Sequence, residues 1–97
     1  MAPLRIAFLS SEVAPFAKTG GLADVARALP RALSKLGQDV RVFMPLYGSV
    51  DRARHGVRPL GGESIGVRLG GGAATFTIQA AVLPETEVPI YFVDCPD

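Results

Sequence analysis

The order of apolar patterns in the first 45 residues limits the fold more than any other feature of this sequence. Ile6–Leu9 is a short continuous apolar run, which is typical of a strand buried on both faces. Apolar residues then recur at helical spacing, at Leu22, Val25, Ala26, Leu29, Leu33 and Leu36. A second apolar run, Val40–Met44, follows the helical pattern. Strand, helix and strand in this order predict a right-handed βαβ unit with two parallel strands.

The boundaries of these elements follow from residues that start or stop them. We expect the first strand to cover Leu4–Leu9 and the first helix Leu22–Leu36, joined by a loop. Pro30 removes one hydrogen bond inside the helix, but the apolar spacing continues beyond it, so the pattern predicts one bent helix. Gly37 is a typical residue to follow a helix, and Pro45 should end the second strand.

The second half of the chain has the composition of β structure. Ser64–Leu69 and Ala73–Val82 flank Gly70–Gly72, a pattern that predicts a hairpin. No helical pattern follows these glycines, so we interpret them as turn residues rather than as a phosphate site. Pro89–Asp94 is predicted as a last strand that rejoins the parallel sheet. No repeat or linker divides the chain, so residues 1–97 should form one segment without an internal boundary.

The loop between the first strand and the first helix has the chemistry of an anion site. Loops at the carboxyl ends of parallel strands are where open α/β sheets bind ligands. Lys18 adds a charge there, and Gly20 and Gly21 would let a ligand approach the positive end of the helix. An equally simple interpretation makes Thr19 the helix N-cap and the two glycines turn residues. The lysine precedes the glycines, unlike a P-loop, and the loop lacks the dinucleotide Gly-x-Gly-x-x-Gly pattern.

Composition excludes several classes of function. Ten basic and nine acidic residues give a net charge of +1, which argues against nucleic acid or an anionic membrane as the partner. We expect the basic cluster, Arg52, Arg54, His55 and Arg58, to be a solvated surface loop. Cys95 is the single cysteine, which rules out a disulfide within the chain and fits a reducing cytoplasm. No spacing of potential ligands indicates a metal site.

Several motifs resemble the amino-terminus of bacterial glycogen synthase and plant starch synthase. They are Ser11–Phe16, Lys18–Val25, Ala28–Pro30, Val40–Pro45 and Tyr91–Pro96. The resemblance is free of gaps, covers essentially this whole chain, and corresponds to about the first fifth of such an enzyme. It implies the first Rossmann-like domain of a two-domain GT-B glycosyltransferase, with a partial parallel sheet and an inserted β-hairpin.

The resemblance also implies a reaction and its participants. The enzyme would be a retaining glucosyltransferase that moves glucose from ADP-glucose, or another nucleoside diphosphate glucose, to the non-reducing end of an α-1,4-glucan. No metal or other cofactor is needed if Lys18 and the helix dipole, with basic residues of the other domain, stabilise the leaving diphosphate. The lone cysteine and the start of the chain are those expected of a cytoplasmic protein. The residues that react lie in the remainder of the enzyme, beyond Asp97, so no catalytic residue is expected in this segment and the chain alone should be inactive.

The resemblance assigns roles to individual residues as well. Lys18 is similar to the lysine that contacts the donor diphosphate, with the backbone N–H groups of Gly20 and Gly21 as its partners. Glu12 and Asp24 match acidic positions at the sugar and acceptor end of the cleft, although Asp24 could instead cap the helix. Tyr91 could face the acceptor, but we expect it in the core. Two alternatives stay open: a nucleotide-sugar or glucan binding module without catalysis, and a purely structural α/β domain.

Overall fold

The computed structural model describes residues 2–62 and 64–95 and confirms the predicted order of elements. The elements are β1 (Arg5–Leu9), α1 (Gly21–Lys35), β2 (Asp39–Pro45), α2 (Arg52–His55), β3 (Arg58–Pro59), β4 (Ile65–Leu69), β5 (Gly72–Val82) and β6 (Pro89–Asp94). Helix α1 continues through Pro30, as the apolar spacing predicted. It ends before Gly37, whose φ of 88° lies in the left-handed region that favours glycine.

The strands form a mixed sheet in the order β1-β2-β6-β5-β3, with β4 paired to β5 outside this path. β1, β2 and β6 are parallel to one another, and β5 runs antiparallel to β6. The predicted βαβ unit, the hairpin and the return of the last strand to the parallel sheet are therefore confirmed. Gly70, with a φ of 58°, lies in the hairpin turn, as expected for a residue that must adopt positive φ.

One face of the sheet carries the core. Alternate residues of the central strands point to that face, where α1 and the loop before it cover them. The core cluster comprises Val13, Phe16, Ala26, Val40, Val42, Met44, Val50, Val57, Leu83, Val88, Ile90 and Phe92. None of the helices within the described ranges is long and apolar enough to span a membrane.

Strand β1 is not buried on both faces, so that part of the prediction is wrong. Ile6 and Phe8 pack against the core, but Leu9 on the other face is 75% exposed. The reason is that, among the described residues, α1 and the loop before it cover one face of the sheet, and Leu9 lies on the other face. The continuous apolar run therefore has a covered face and an open face.

The apolar stripe predicted for α1 is also only partly correct. The helix buries Ala23, Ala26 and Pro30 against the sheet, and Leu33 packs beside them. The other apolar members of the stripe are exposed, namely Leu22, Val25, Leu29 and Leu36. The apolar surface of α1 is wider than the surface that the described residues offer it, so four of the six predicted stripe members face outward.

The basic cluster differs from the predicted loop in its local structure. Arg52–His55 forms one helical turn, with Asp51 as its N-cap accepting a hydrogen bond from the Arg54 N–H at 3.1 Å. The arginines are exposed, as predicted, and Arg52 lies 3.9 Å from the carboxylate of Asp94. His55 instead packs edge-on against the ring of Phe16, with 5.1 Å between the centroids. The turn therefore closes one end of the core.

Candidate functional site

The loop that carries the predicted site residues leaves the carboxyl end of β1 and leads into α1. Its first part is tied to the strand next to it, because the Ser10 N–H donates to the Phe43 carbonyl at 3.0 Å. The Tyr47 hydroxyl donates to the Ser11 carbonyl at 2.8 Å. Val13 and Phe16 are buried in the core and hold the middle of the loop. No sequence pattern indicates a role for Tyr47, because it lies 36 residues from Ser11 along the chain.

Lys18 and Asp24 are brought together by the start of α1. The Lys18 ammonium lies 3.0 Å from one carboxylate oxygen of Asp24 and 2.9 Å from the other. The two side chains are 52% and 57% exposed, so the pair is open to solvent and to ligands. Asp24 is in the first turn but does not cap the helix, since α1 has no side-chain cap. The capping interpretation of Asp24 is therefore wrong for this structure.

Glu12 is held by Thr19, seven residues further along the loop. One carboxylate oxygen accepts from the Thr19 N–H at 3.0 Å, and the other accepts from the Thr19 hydroxyl at 2.5 Å. The hydroxyl bond, followed by the backbone bond, holds the pKa of Glu12 below its ordinary value of 4.5. Thr19 is not the N-cap, because Gly20 occupies that position. The Thr19 hydroxyl, which was expected to cap the helix, donates to the Glu12 carboxylate instead.

Gly20 and Gly21 form an open start to α1. Gly20 has extended backbone, with φ of −167°, and no side chain among the described residues caps the helix. A Cβ placed on Gly20 or Gly21 would have no described atom of the chain within 4 Å. The chain's own packing therefore does not require glycine at these positions. Uncapped N–H groups at a helix start favour an anion.

A separate cavity of about 530 Å³ lies at the carboxyl ends of the parallel strands. Apolar residues dominate its lining, which includes Leu9, Phe43 and Val93. These side chains belong to the sheet face opposite the core, and Lys18 is not among the lining residues. We therefore interpret the cavity as uncovered sheet surface and not as the predicted anion site.

Tyr91 lies on this same open face, so its predicted place in the core is wrong. Its ring stacks on Phe43 with centroids 5.2 Å apart, and its hydroxyl accepts a hydrogen bond from Arg41 at 3.4 Å. Its neighbours Ile90 and Phe92 take the core positions because side chains alternate along β6. Across residues 2–62 and 64–95, no three His, Cys, Asp or Glu side chains cluster closely enough to hold a metal ion.

Known proteins resemble this chain in sequence. The family described as starch synthase catalytic domain matches residues 5–97. The chain is 45% identical over 94 residues to a glycogen synthase of Photobacterium profundum, an alignment covering 97% of this chain and 18% of that protein. A glycogen synthase of Syntrophotalea carbinolica is 47% identical over 94 residues, with coverage of 97% and 19%. The chain thus spans about a fifth of the length of these relatives.

A solved structure resembles the fold. It is the catalytic domain of starch synthase IV from Arabidopsis thaliana bound to ADP and acarbose, with a TM-score of 0.86 and 26% sequence identity. The match covers 98% of this chain and 19% of that one. The family match over nearly the whole chain, the glycogen synthase relatives and the shared fold agree with the motifs of the loop and strands. This chain belongs to the starch synthase catalytic domain family.

Proposed function

We propose that the chain forms the amino-terminal segment of the first Rossmann-like domain of a retaining glucosyltransferase. The enzyme transfers glucose from ADP-glucose, or another nucleoside diphosphate glucose, to the non-reducing end of an α-1,4-glucan. In this proposal Lys18 and the backbone N–H groups of Gly20 and Gly21 contact the donor diphosphate. The reaction uses no metal or cofactor, and the remainder of the enzyme supplies the groups that react.

The chemistry of the reaction gives Lys18 its role. As the bond between glucose and the diphosphate breaks, negative charge grows on the leaving diphosphate. A fixed positive group lowers the barrier if it interacts more strongly with this charge than with the ground state. The Lys18 ammonium and the positive end of α1, which begins at Gly21, are two such groups in the same part of the loop.

The observation that carries the proposal is an exposed ammonium next to a helix start that is uncapped and sterically open. That combination leaves room for a ligand where the family resemblance predicts a diphosphate. The Arabidopsis structure, whose fold this chain shares, contains ADP, which supports a nucleoside diphosphate as the ligand class.

The other assigned residues belong to the proposal as well. Asp24 and Glu12 are assigned to the sugar and acceptor end of the cleft. Both carboxylates are already engaged within the chain, by Lys18 and Thr19, so a sugar hydroxyl would share or replace those partners. We also assign the enzyme to the cytoplasm, which the lone cysteine supports.

A hybrid enzyme tests the role of Lys18. The chain replaces the matching segment of the Photobacterium profundum glycogen synthase, and Lys18→Gln is then compared with the unchanged hybrid. Losing a donor to transition-state charge should lower kcat by about two to three orders of magnitude. Lys18→Arg should not restore it fully, because a planar guanidinium does not reproduce a compact ammonium.

The matched control is Lys35→Gln, which removes a lysine from the far end of the same helix and should leave kcat unchanged. A Lys18→Gln variant that raises only the KM for glucan would show that the lysine acts on the acceptor and not on the donor, and would contradict the proposal.

Titration of the isolated chain with ADP and with maltooligosaccharide tests binding separately from catalysis. We expect the chain alone to transfer no glucose, because it spans about a fifth of the length of its relatives and the reacting groups are proposed to lie in the remainder. Transfer by the chain alone would contradict this expectation.

A further inference from the structure

The last part of the site loop has few attachments to the rest of the protein. Backbone bonds from Ala14 to Ala23 and from Ala17 to Val13, each 3.0 Å, hold the middle of the loop. Beyond Ala17 the chain turns outward, and Lys18, Thr19 and Gly20 are exposed. Lys18 contacts only the exposed carboxylate of Asp24 among its described side-chain partners. A further contact is needed if the backbone that carries the ammonium is to be held in place.

Glu12 makes that contact. Its carboxylate receives both donors of Thr19, the N–H at 3.0 Å and the hydroxyl at 2.5 Å. Two hydrogen bonds to one ionised carboxylate are stronger than neutral bonds and also fix orientation. Thr19 lies between Lys18 and Gly20 in the sequence, so these bonds constrain both neighbours. Glu12 itself is anchored near the end of β1, where the Ser10 hydroxyl donates to its carbonyl at 2.7 Å.

We propose that Glu12 is a positioning residue, which acts through Thr19 to hold Lys18 and the first turn of α1 in place for the diphosphate. This inference depends on the proposed function, since it concerns the same anion site. It differs from the sugar-end assignment of Glu12, which requires its carboxylate to contact the substrate directly. Thr19, whose sequence context suggested only a helix N-cap, becomes the second member of this pair.

The two roles of Glu12 make different demands on Thr19. If Glu12 acts through Thr19, removing either side chain should have the same consequence, and removing both should add little. If Glu12 contacts the sugar, Thr19→Val should be silent. A double-mutant cycle in the hybrid enzyme separates these outcomes.

The expected result is a loss of kcat/KM for ADP-glucose of at least about tenfold in Glu12→Gln and in Thr19→Val. The double variant should be no worse than the more damaged single variant, and the KM for glucan should not change. Thr19→Ser retains both donors and should restore activity. Thr75→Val, on the exposed part of β5, is the matched control and should have no effect.

Additive losses, or a raised KM for glucan in Glu12→Gln with a silent Thr19→Val, would overturn the inference. Lys18→Gln distinguishes this failure from failure of the proposed function. A silent Lys18→Gln with coupled Glu12 and Thr19 variants would remove the diphosphate role and keep the structural coupling. If Lys18→Gln lowers activity but the Glu12 and Thr19 variants are not coupled, the diphosphate role is kept and the positioning role of Glu12 is lost. If a hybrid variant fails to fold, hydrogen exchange of the Thr19 amide is measured in the 97-residue chain instead. The inference predicts faster exchange in Glu12→Gln than in the unchanged chain, and an unchanged exchange rate would contradict it.

Discussion

The positive charge of Lys18 is balanced within the chain by the carboxylate of Asp24. Its ammonium contacts both oxygens of Asp24, and Glu12 adds a further negative charge to the same loop. The three ionised side chains therefore carry one net negative charge, although the helix start in front of them favours anions. If Lys18 binds a diphosphate as proposed, the diphosphate would compete with Asp24 for the ammonium or share it.

This competition leads to a prediction for Asp24→Asn. Removing the charge of Asp24 frees Lys18 and removes repulsion, so the chain should bind ADP about two- to fivefold more tightly, as expected for an exposed ion pair. Titration followed by NMR at low salt measures the change. Asp39→Asn is the control, because Asp39 also forms an exposed ion pair, with Arg41 at 3.6 Å, but at the other end of β2. Weaker ADP binding by Asp24→Asn would mean that Asp24 orients the lysine instead.

The Glu12–Thr19 contact has a predictable dependence on pH. The pKa of Glu12 is lowered, so the hydrogen bonds should be fully present above its ordinary value of 4.5 and should be lost as the pH falls through the lower value in the folded protein. We expect the amide resonance of Thr19 to stay constant from pH 7 to 4.5 and to move only at lower pH. Glu12→Gln should abolish the movement. A Thr19 resonance that titrates near neutral pH would contradict this assignment.

The sequence predicts which residues form the candidate site, but it does not predict which contacts they make with one another. The motif around Lys18 identified the loop, because charge and glycine content are visible in sequence. The sequence could not show that Thr19 would turn back to Glu12 rather than cap α1. Several acceptors compete for one hydroxyl, and the choice depends on the path of the loop. The same applies to the pairing of Lys18 with Asp24.

At the scale of elements, local signals were reliable and burial was not. Apolar spacing predicted α1, and the three consecutive glycines predicted the β4–β5 hairpin, since both depend on nearby residues. The open faces of β1 and α1 were not predicted. An apolar residue is buried only where another layer covers it, and spacing along one element contains no information on the next layer.

The end of α1 gives a prediction about stability. Gly37 has a φ of 88°, and an added Cβ would meet no atom within 4 Å, so the cost of Gly37→Ala comes from backbone strain alone. The free energy of unfolding should fall by about 1 to 2 kcal/mol. Gly48→Ala is the control, because Gly48 also faces open space but does not have positive φ. Urea denaturation measures the free energy of unfolding of both variants. Equal losses in Gly37→Ala and Gly48→Ala would show that the positive φ of Gly37 is not the source of the destabilisation.

The whole molecule is less compact than an independent domain of its size. Its accessible surface is 6423 Å², whereas a compact protein of this mass exposes about 5,300 Å². The radius of gyration is 14.2 Å, against about 13 Å for a compact domain of 100 residues. The excess surface includes the open sheet face and the outer stripe of α1. The chain spans about a fifth of its relatives, which agrees with a surface that remains incompletely covered.

We therefore predict that the isolated chain self-associates. Exposed apolar surface on α1 and the unpaired edge of β1 both favour contact between copies. Sedimentation velocity should show a concentration-dependent increase in mass. Replacing Val25 and Leu29, which are 56% and 43% exposed, by lysine should reduce association without a loss of fold. A chain that remains monomeric and unfolds in one sharp transition would contradict the prediction and favour a self-sufficient module.

The β4–β5 hairpin extends past the sheet to which it is joined. All five residues of β4 are exposed, and they pair with Gly72–Phe76, whereas β6 pairs with Thr77–Val82. The outer half of the hairpin is therefore an arm whose length can change without shifting the register of the sheet. Since side chains alternate with a period of two, residues added or removed as matched pairs, one dipeptide on each strand, would keep every remaining side chain on its original face. Differences in chain length among relatives should therefore accumulate here in even numbers on each strand.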